Sequence, residues 1–226
     1  MRPFLNIDAG ELDDEPKELY ALAHAVSIAC GGHAGDEASM DRVVRACVAT
    51  GTRIGAHPSY EDRAGFGRTE QRVAPEGVER FVREQCGRLA EVAARHAAKV
   101  THVKAHGALY HAANREDAIA RAVVAGAREA LGDVVVLGPP EGALRRAAEG
   151  VHLGFAREGF ADRAMRRDGS LVPRGEPGAL IGDAEKARAQ AASLAAGGSF
   201  DTICVHGDSP NALAIARAVR EVLRDA

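Results

Sequence analysis

The sequence predicts an α/β fold, a closed or nearly closed parallel barrel of about seven strands. Three observations carry this. Short apolar runs alternate with amphipathic helical patterns along all 226 residues. Most of these runs are bounded by Gly, Pro or His, and they suit parallel strands covered on both faces. Four of them end in histidine: "SIACGGH" in His33, "RIGAH" in His57, "THVKAH" in His106 and "DTICVH" in His206. Such barrels gather their reacting groups at the C-terminal ends of the strands. An open, doubly wound sheet is the alternative. The first βα turn lacks G-x-G-x-x-G, which removes one support for a dinucleotide-binding version of it.

Strands are expected at 4–9, 25–30, 53–57, 100–105, 133–138, 151–156 and 201–206. A helix over 36–50 is opened by an Asp36 cap and closed at Gly51. From Pro75 to about Ala97, Val78, Phe81, Val82, Leu89 and Val92 fall near a 3.6-residue period. Further helices are expected from an Asn114 cap to Leu131, over 141–149, over 183–196 before Gly197-Gly198, and from about Pro210 to Leu223. The stretch 158–182 is long for a plain βα loop and reads as a lid or small excursion. No linker, charge block or low-complexity segment divides the chain, so one domain over 1–226 is expected.

Hydrophobic residues make up 46%, a globular composition, and the net charge of -3 gives no electrostatic footprint for nucleic acid or an anionic membrane. The four cysteines form no C-x-x-C pair, and Cys30 and Cys204 lie inside apolar runs, where a thiol acts as a small core side chain. The N-terminus starts directly on a strand, without a signal-peptide h-region, and no window can span a bilayer. A reduced, cytoplasmic protein acting on a small molecule is expected.

The strand ends supply a rim. It holds Asn6, Asp8 and Glu11; His33 and Asp36; His57; Lys104 and His106; Glu158, Asp162 and Arg163; then His206 and Asp208. Asp36 reads first as a helix cap. Asp208 reads equally as a cap or an Asx turn, and Asp162 and Arg163 could pair with each other. Lys104 precedes His106 by two residues and shares its face of the strand. An inward ammonium needs an anion. Asp8, His33 and His57 come from consecutive strands and could hold a divalent metal that activates water, although no H-E-x-x-H spacing accompanies them. Without a metal, the same groups serve as general acid and base, with Lys104 stabilising an oxyanion or phosphate. There is no Walker-type phosphate loop.

The motifs "NIDAGE", "IACGGHAGD", "IGAHPSYEDRAGFGR", "HVKAHGALY", "EGFADRAMRRDGSLVPR" and "CVHGDSPNAL" resemble, in order, the signatures of the LamB/YcsF family, from Asn6 to Leu213. The resemblance implies a (β/α)7 barrel similar to the glycoside hydrolase/deacetylase superfamily. It implies a hydrolase that opens the 5-oxo-L-proline lactam to L-glutamate with ATP as co-substrate, alongside partner subunits B and C of 5-oxoprolinase. Catalysis is expected from Asp8, His57, Lys104, His106 and His206. Substrate or phosphate binding is expected from Asn6, Glu11, His33, Glu158, Asp162, Arg163 and Asp208. Three departures point toward a different lactam or amide: a shortened segment after Glu11, Gly32 in place of an aromatic, and Ala105 and His111 in place of Pro and Asn. Two rival readings are a metal-dependent amide hydrolase or N-deacetylase acting without ATP, and a binding subunit that leaves catalysis to its partners.

Overall fold

The computed structural model describes residues 2–166, 170–209 and 211–225. Seven strands form a closed parallel barrel in chain order. They are β1 (Phe4–Ala9), β2 (Ala25–Ala29), β3 (Arg53–His57), β4 (Val100–Lys104), β5 (Val135–Gly138), β6 (Phe155–Phe160) and β7 (Thr202–His206). The helices are α1 (Glu18–Leu22), α2 (Glu37–Thr50), α3 (Pro75–Arg95), α4 (Gly107–Arg115), α5 (Asp117–Leu131), α6 (Ala143–Gly150), α7 (Ala184–Ala196) and α8 (Ala212–Asp225). Closure comes from β7 pairing with β1, with Asn6 opposite Cys204 and Asp8 opposite His206. That register brings residues almost two hundred positions apart to the same level of the barrel.

Strand alternation divides the side chains into two sets. Outward residues such as Leu5, Ile7, Val26, Ile28 and Val205 are buried in the apolar layer beneath the helices. The inward set is polar: Asn6, Asp8, Ser27, His57, His102, Lys104, Glu158, Thr202 and His206 are all buried. Gly55 makes room for this filling, because a Cβ there would lie 2.1 Å from His102 Nε2. Among the described residues no helix is long and apolar enough to cross a membrane.

Most elements fall where the sequence places them, and the differences have physical causes. The sixth strand is expected at 151–156 but runs from Phe155 to Phe160. Val151 instead caps α6, and the chain turns at His152, whose φ is 61°. The true strand is disguised by charge. Arg157 points outward to Asp201 (Nε to Oδ2, 2.8 Å) and Glu158 points inward to Lys104 (2.8 Å). Asn114 is not a cap but sits in the last turn of α4, and Glu116 precedes α5. Asp36 is a cap: its carboxylate accepts from the Ser39 amide, and the Ser39 hydroxyl accepts from the Asp36 amide, both at 2.8 Å. The 158–182 stretch becomes the end of β6 and then an excursion with antiparallel bridges Arg163–Leu180 and Met165–Leu171. Positions 167–169 of this stretch, and Pro210, where the last helix is expected to begin, lie outside the described residues.

Candidate active site

Lys104 is the hub of the barrel's upper interior. Its Nζ lies 2.9 and 3.0 Å from the Asp8 carboxylate oxygens, 2.8 Å from Glu158, 3.3 Å from Asn6 Oδ1 and 3.0 Å from Cys204 Sγ. β1, β6 and β7 therefore each supply one or more partners to this residue of β4. Burial opposes the ammonium charge, but the Asp8 and Glu158 carboxylates outweigh it and hold the Lys104 pKa well above its ordinary value. Burial likewise opposes ionisation of Asp8. His57, Lys104 and His206 outweigh it, and the carboxyl stays well below the usual range. Desolvation keeps the Cys204 thiol protonated. The result is an ammonium held between two carboxylates.

Beside this hub lie three imidazoles and Glu11. His33 Nε2 sits 2.9 Å from Glu11 Oε1, His106 Nδ1 3.3 Å and His57 Nε2 3.7 Å. The His33 and His106 rings stack with centroids 3.6 Å apart. The tautomers follow from the outer hydrogen bonds. His57 Nδ1 donates to the Lys104 carbonyl at 2.7 Å, and His106 Nε2 donates to the Phe66 carbonyl at 3.0 Å. In its neutral form each ring has one bare nitrogen, and these two nitrogens face each other at 2.9 Å, beside the Glu11 carboxylate. Lone pairs converging on one point need a shared proton or a cation. Burial pushes His33 and His106 toward the neutral form. A proton shared on this cluster lets His106, together with His33, outweigh burial and hold the Glu11 carboxyl well below the usual range.

The third group is a dyad. His206 Nδ1 donates to Asp162 at 2.9 Å, and the His206 amide and Ser209 hydroxyl donate to the same carboxylate. The other ring nitrogen, Nε2, lies 3.8 Å from Asp8. Burial opposes the charged ring, but Asp162 outweighs it and raises the His206 pKa. A positioned imidazolium with one nitrogen free is a competent general acid. His206, Asp8, His57, Lys104 and His106 all line one cavity of about 370 Å³, large enough for a small-molecule substrate.

The structure thus brings together almost every residue expected on the rim. Asp162 and Arg163 do not pair with each other: Asp162 engages His206, and Arg163 Nη2 donates to the Val172 carbonyl at 2.8 Å. Asp208 is an ion-pair partner of Arg68 and Arg174, and no capping bond from its carboxylate is seen among the described residues. Of the expected ligand trio of Asp8, His33 and His57, Asp8 Oδ2 does lie 3.4 Å from His57 Nε2, but the candidate donor groups divide differently. Glu11, not Asp8, joins His33, His57 and His106, while Asp8 groups with Cys204 and His206. The cause is Lys104, whose ammonium already fills the space around Asp8.

Sequence reasoning passed over Cys204, Arg68, Arg174 and Phe160. Cys204 has the strand parity of Asn6 and His206, which was a readable signal. Arg68 and Arg174 stand on loops, whose return to the cavity has no periodic signature.

Known proteins share this barrel and its sequence. Residues 5–226 match the LamB/YcsF family. A Bordetella pertussis protein, named as the A subunit of 5-oxoprolinase, is 40% identical over 97% of this chain and 94% of its own length. A Pyrococcus abyssi protein of the same name is 38% identical, covering 100% of this chain and 95% of its own. The crystal structure of a lactam utilization protein from Thermus thermophilus superposes with a TM-score of 0.91 at 34% identity, covering 100% of this chain and 97% of that one.

Proposed function

This chain belongs to the LamB/YcsF family, and from that premise we propose that it is the A subunit of an ATP-dependent 5-oxoprolinase. In the cytoplasm, with subunits B and C, it would open 5-oxo-L-proline to L-glutamate. Net, the lactam, ATP and two waters give glutamate, ADP and phosphate. One water opens the ring and the other accounts for the phosphate released. The observation that carries this reading is the Asp162–His206 dyad beside the Asp8–Lys104–Glu158 ion cluster, with His206, Asp8 and Lys104 on the wall of one cavity.

The chemistry suits a stable amide. A lactam is a poor electrophile; transfer of the γ-phosphoryl group of ATP to its oxygen, with release of ADP, activates the carbon toward water. Loss of the ring nitrogen then leaves a γ-glutamyl phosphate, and the second water hydrolyses this to glutamate and phosphate. His206, oriented by Asp162, delivers a proton to the departing ring nitrogen through Nε2. Asp8 or the bare nitrogen of His57 removes a proton from the attacking water. Lys104 fixes the Asp8 carboxylate and offers positive charge to an oxyanion. The test is glutamate release from 5-oxoproline by this chain with its cognate B and C subunits. ATP-dependent glutamate that vanishes when this chain is omitted supports the reading. No glutamate, with the partner subunits active beside a standard A subunit, removes it.

A second reading rests on the facing lone pairs of His57 and His106. Three imidazoles and a carboxylate are a suitable donor set for a borderline divalent cation such as zinc. Glu11, His33, His57 and His106 would hold it. Glu11 Oε2 and His33 Nδ1 are buried without a hydrogen-bond partner among the described residues, in keeping with this fit. Asp8, Cys204 and His206 fit less well, because Lys104 already serves as their cation. A bound cation would supply Lewis acidity, the basis of an ATP-independent amide hydrolase or N-deacetylase. Stoichiometric zinc by plasma mass spectrometry, lost in Glu11→Gln, with amide hydrolysis in the absence of ATP, supports this alternative. Metal-free protein that does not bind added zinc ends it.

A further inference from the structure

The cavity has a second wall that the acid–base groups do not use. Arg68 follows β3, and Arg163 and Arg174 follow β6; all three line the cavity. Arg163 is 6% exposed, and its Nε is buried without a hydrogen-bond partner among the described residues. Its guanidinium is held by the Val172 carbonyl. Arg68 lies over the Phe66 ring, 4.6 Å from its centroid, which fixes its approach. Asp208 faces this wall and pairs with Arg68 and, at 3.1 Å, with Arg174 Nη1. Three guanidiniums against one carboxylate leave two positive charges unmatched among these residues. Of the neighbouring charges, Lys104 and His206 are met by three carboxylates, Asp8, Glu158 and Asp162, so this acid–base cluster supplies no cation of its own to an incoming anion and leaves that task to the arginine wall.

We propose that Arg68, Arg163 and Arg174 form a subsite for a phosphoryl dianion, and that Asp208 holds Arg68 and Arg174 in place until the incoming phosphoryl group displaces it. The proposal rests on the ATP-dependent reading above and deepens it, by naming where phosphate charge meets this chain. Within this wall the guanidiniums outnumber the carboxylate by two, which suits a dianion better than a lone carboxylate. Arginine's planar donors suit phosphate oxygens. Asp208 steadies the wall, since three guanidiniums crowded into one cavity repel one another. Burial, together with Arg174 and Arg68, pushes the Arg163 pKa down, a sign of that repulsion.

The experiment is calorimetric titration of the full-length chain at constant ionic strength, with inorganic phosphate and separately with 5-oxoproline, a monocarboxylate. Charge-assisted hydrogen bonds of about 1.5–3 kcal/mol correspond to roughly 10- to 100-fold in affinity. Arg163→Gln and Arg174→Ala should weaken phosphate by about that factor. Asp208→Asn, which removes the competing anion but keeps the side-chain shape, should tighten it several-fold. Arg174 stands on a loop outside the barrel strands, so its variant keeps the test independent of folding. Phosphate affinity unchanged in Asp208→Asn or in Arg174→Ala overturns the proposal. A loss of 5-oxoproline binding with phosphate binding intact also overturns it, because the wall would then read the substrate carboxylate. Glutamate release without this phosphate linkage sinks the subsite alone; phosphate linkage without ATP-dependent glutamate sinks the enzyme reading alone.

Discussion

Replacing Lys104 with methionine tests the hub directly. The ammonium is 2% exposed and lies within 3.0 Å of oxygens on both Asp8 and Glu158. Removing it takes the ammonium from both buried carboxylates, leaving Asp8 with the His57 and His206 imidazoles and Glu158 with no other ion-pair partner among the described residues. Breaking one buried ion pair costs about 3–5 kcal/mol, and here one cation serves two anions, so the upper end is expected. The cost should be relieved by removing one of those anions. Lys104→Met combined with Glu158→Gln should recover roughly 2 kcal/mol or more relative to Lys104→Met alone. The single variant should also respond to pH in a definite direction. Its paired carboxylates bind protons more tightly folded than unfolded, so its stability should rise, relative to the unaltered protein, as pH falls from 7 toward 5. Urea denaturation followed by circular dichroism reads all three quantities. A cost below about 1 kcal/mol at pH 7, the level of an exposed ion pair, would refute the reasoning. So would a double variant no more stable than the single one.

Three other outcomes are expected. Asp162→Asn should lower kcat by about 10²–10⁴, the range for a general acid, and shift the limb of the pH–rate profile that reports His206 to lower pH; an unmoved limb would mean that another group donates the proton. His102 is fully enclosed, and burial, with Arg53 and Lys104 nearby, lowers its pKa to about 3. Between that value and its unfolded value of about 6.5, only the unfolded chain takes up the proton, so stability falls as pH drops, by about 2 kcal/mol from pH 6.5 to 5. His102→Gln should lack this component of the pH dependence, and parallel stability–pH curves for the two proteins would contradict the assignment. Asp36→Ala should cost about 1 kcal/mol of stability through loss of the α2 cap, without changing kcat; a fall in kcat would place Asp36 at the site after all.

Some of the molecule was legible because local physics acts locally. The Asp36 cap and Gly51 stop of α2 are visible in sequence because they involve neighbouring residues. The period of Val78, Phe81, Val82, Leu89 and Val92 marks α3 because a helix repeats its buried face every turn. β6 was displaced because Arg157 and Glu158 break the apolar run. Each satisfies its charge against a residue more than forty positions away, Asp201 and Lys104 respectively. α4 was missed for a related reason. It begins at Gly107 directly behind His106, where a positive φ of 56° and the close approach of the Gly67 carbonyl fix the turn, and neither is written in the local pattern.

By itself the sequence determined the βα alternation, the histidines at or just beyond four strand ends (His57 and His206 close β3 and β7, His33 and His106 follow β2 and β4) and the rim of acids and bases, because strand parity and strand polarity follow from local order. The family signatures, being contiguous stretches, were equally legible. Only the tertiary structure decided how the rim groups pair. Barrel closure placed Asp8 opposite His206, Lys104 took Asp8 as its counter-ion, and Glu11 was left to the three imidazoles. Loop return brought Arg68 and Arg174 to the same carboxylate. Partner choice among buried charges depends on distances of a few ångströms set by shear, register and loop path, and residues remote in the chain carry no local mark of which of them will meet.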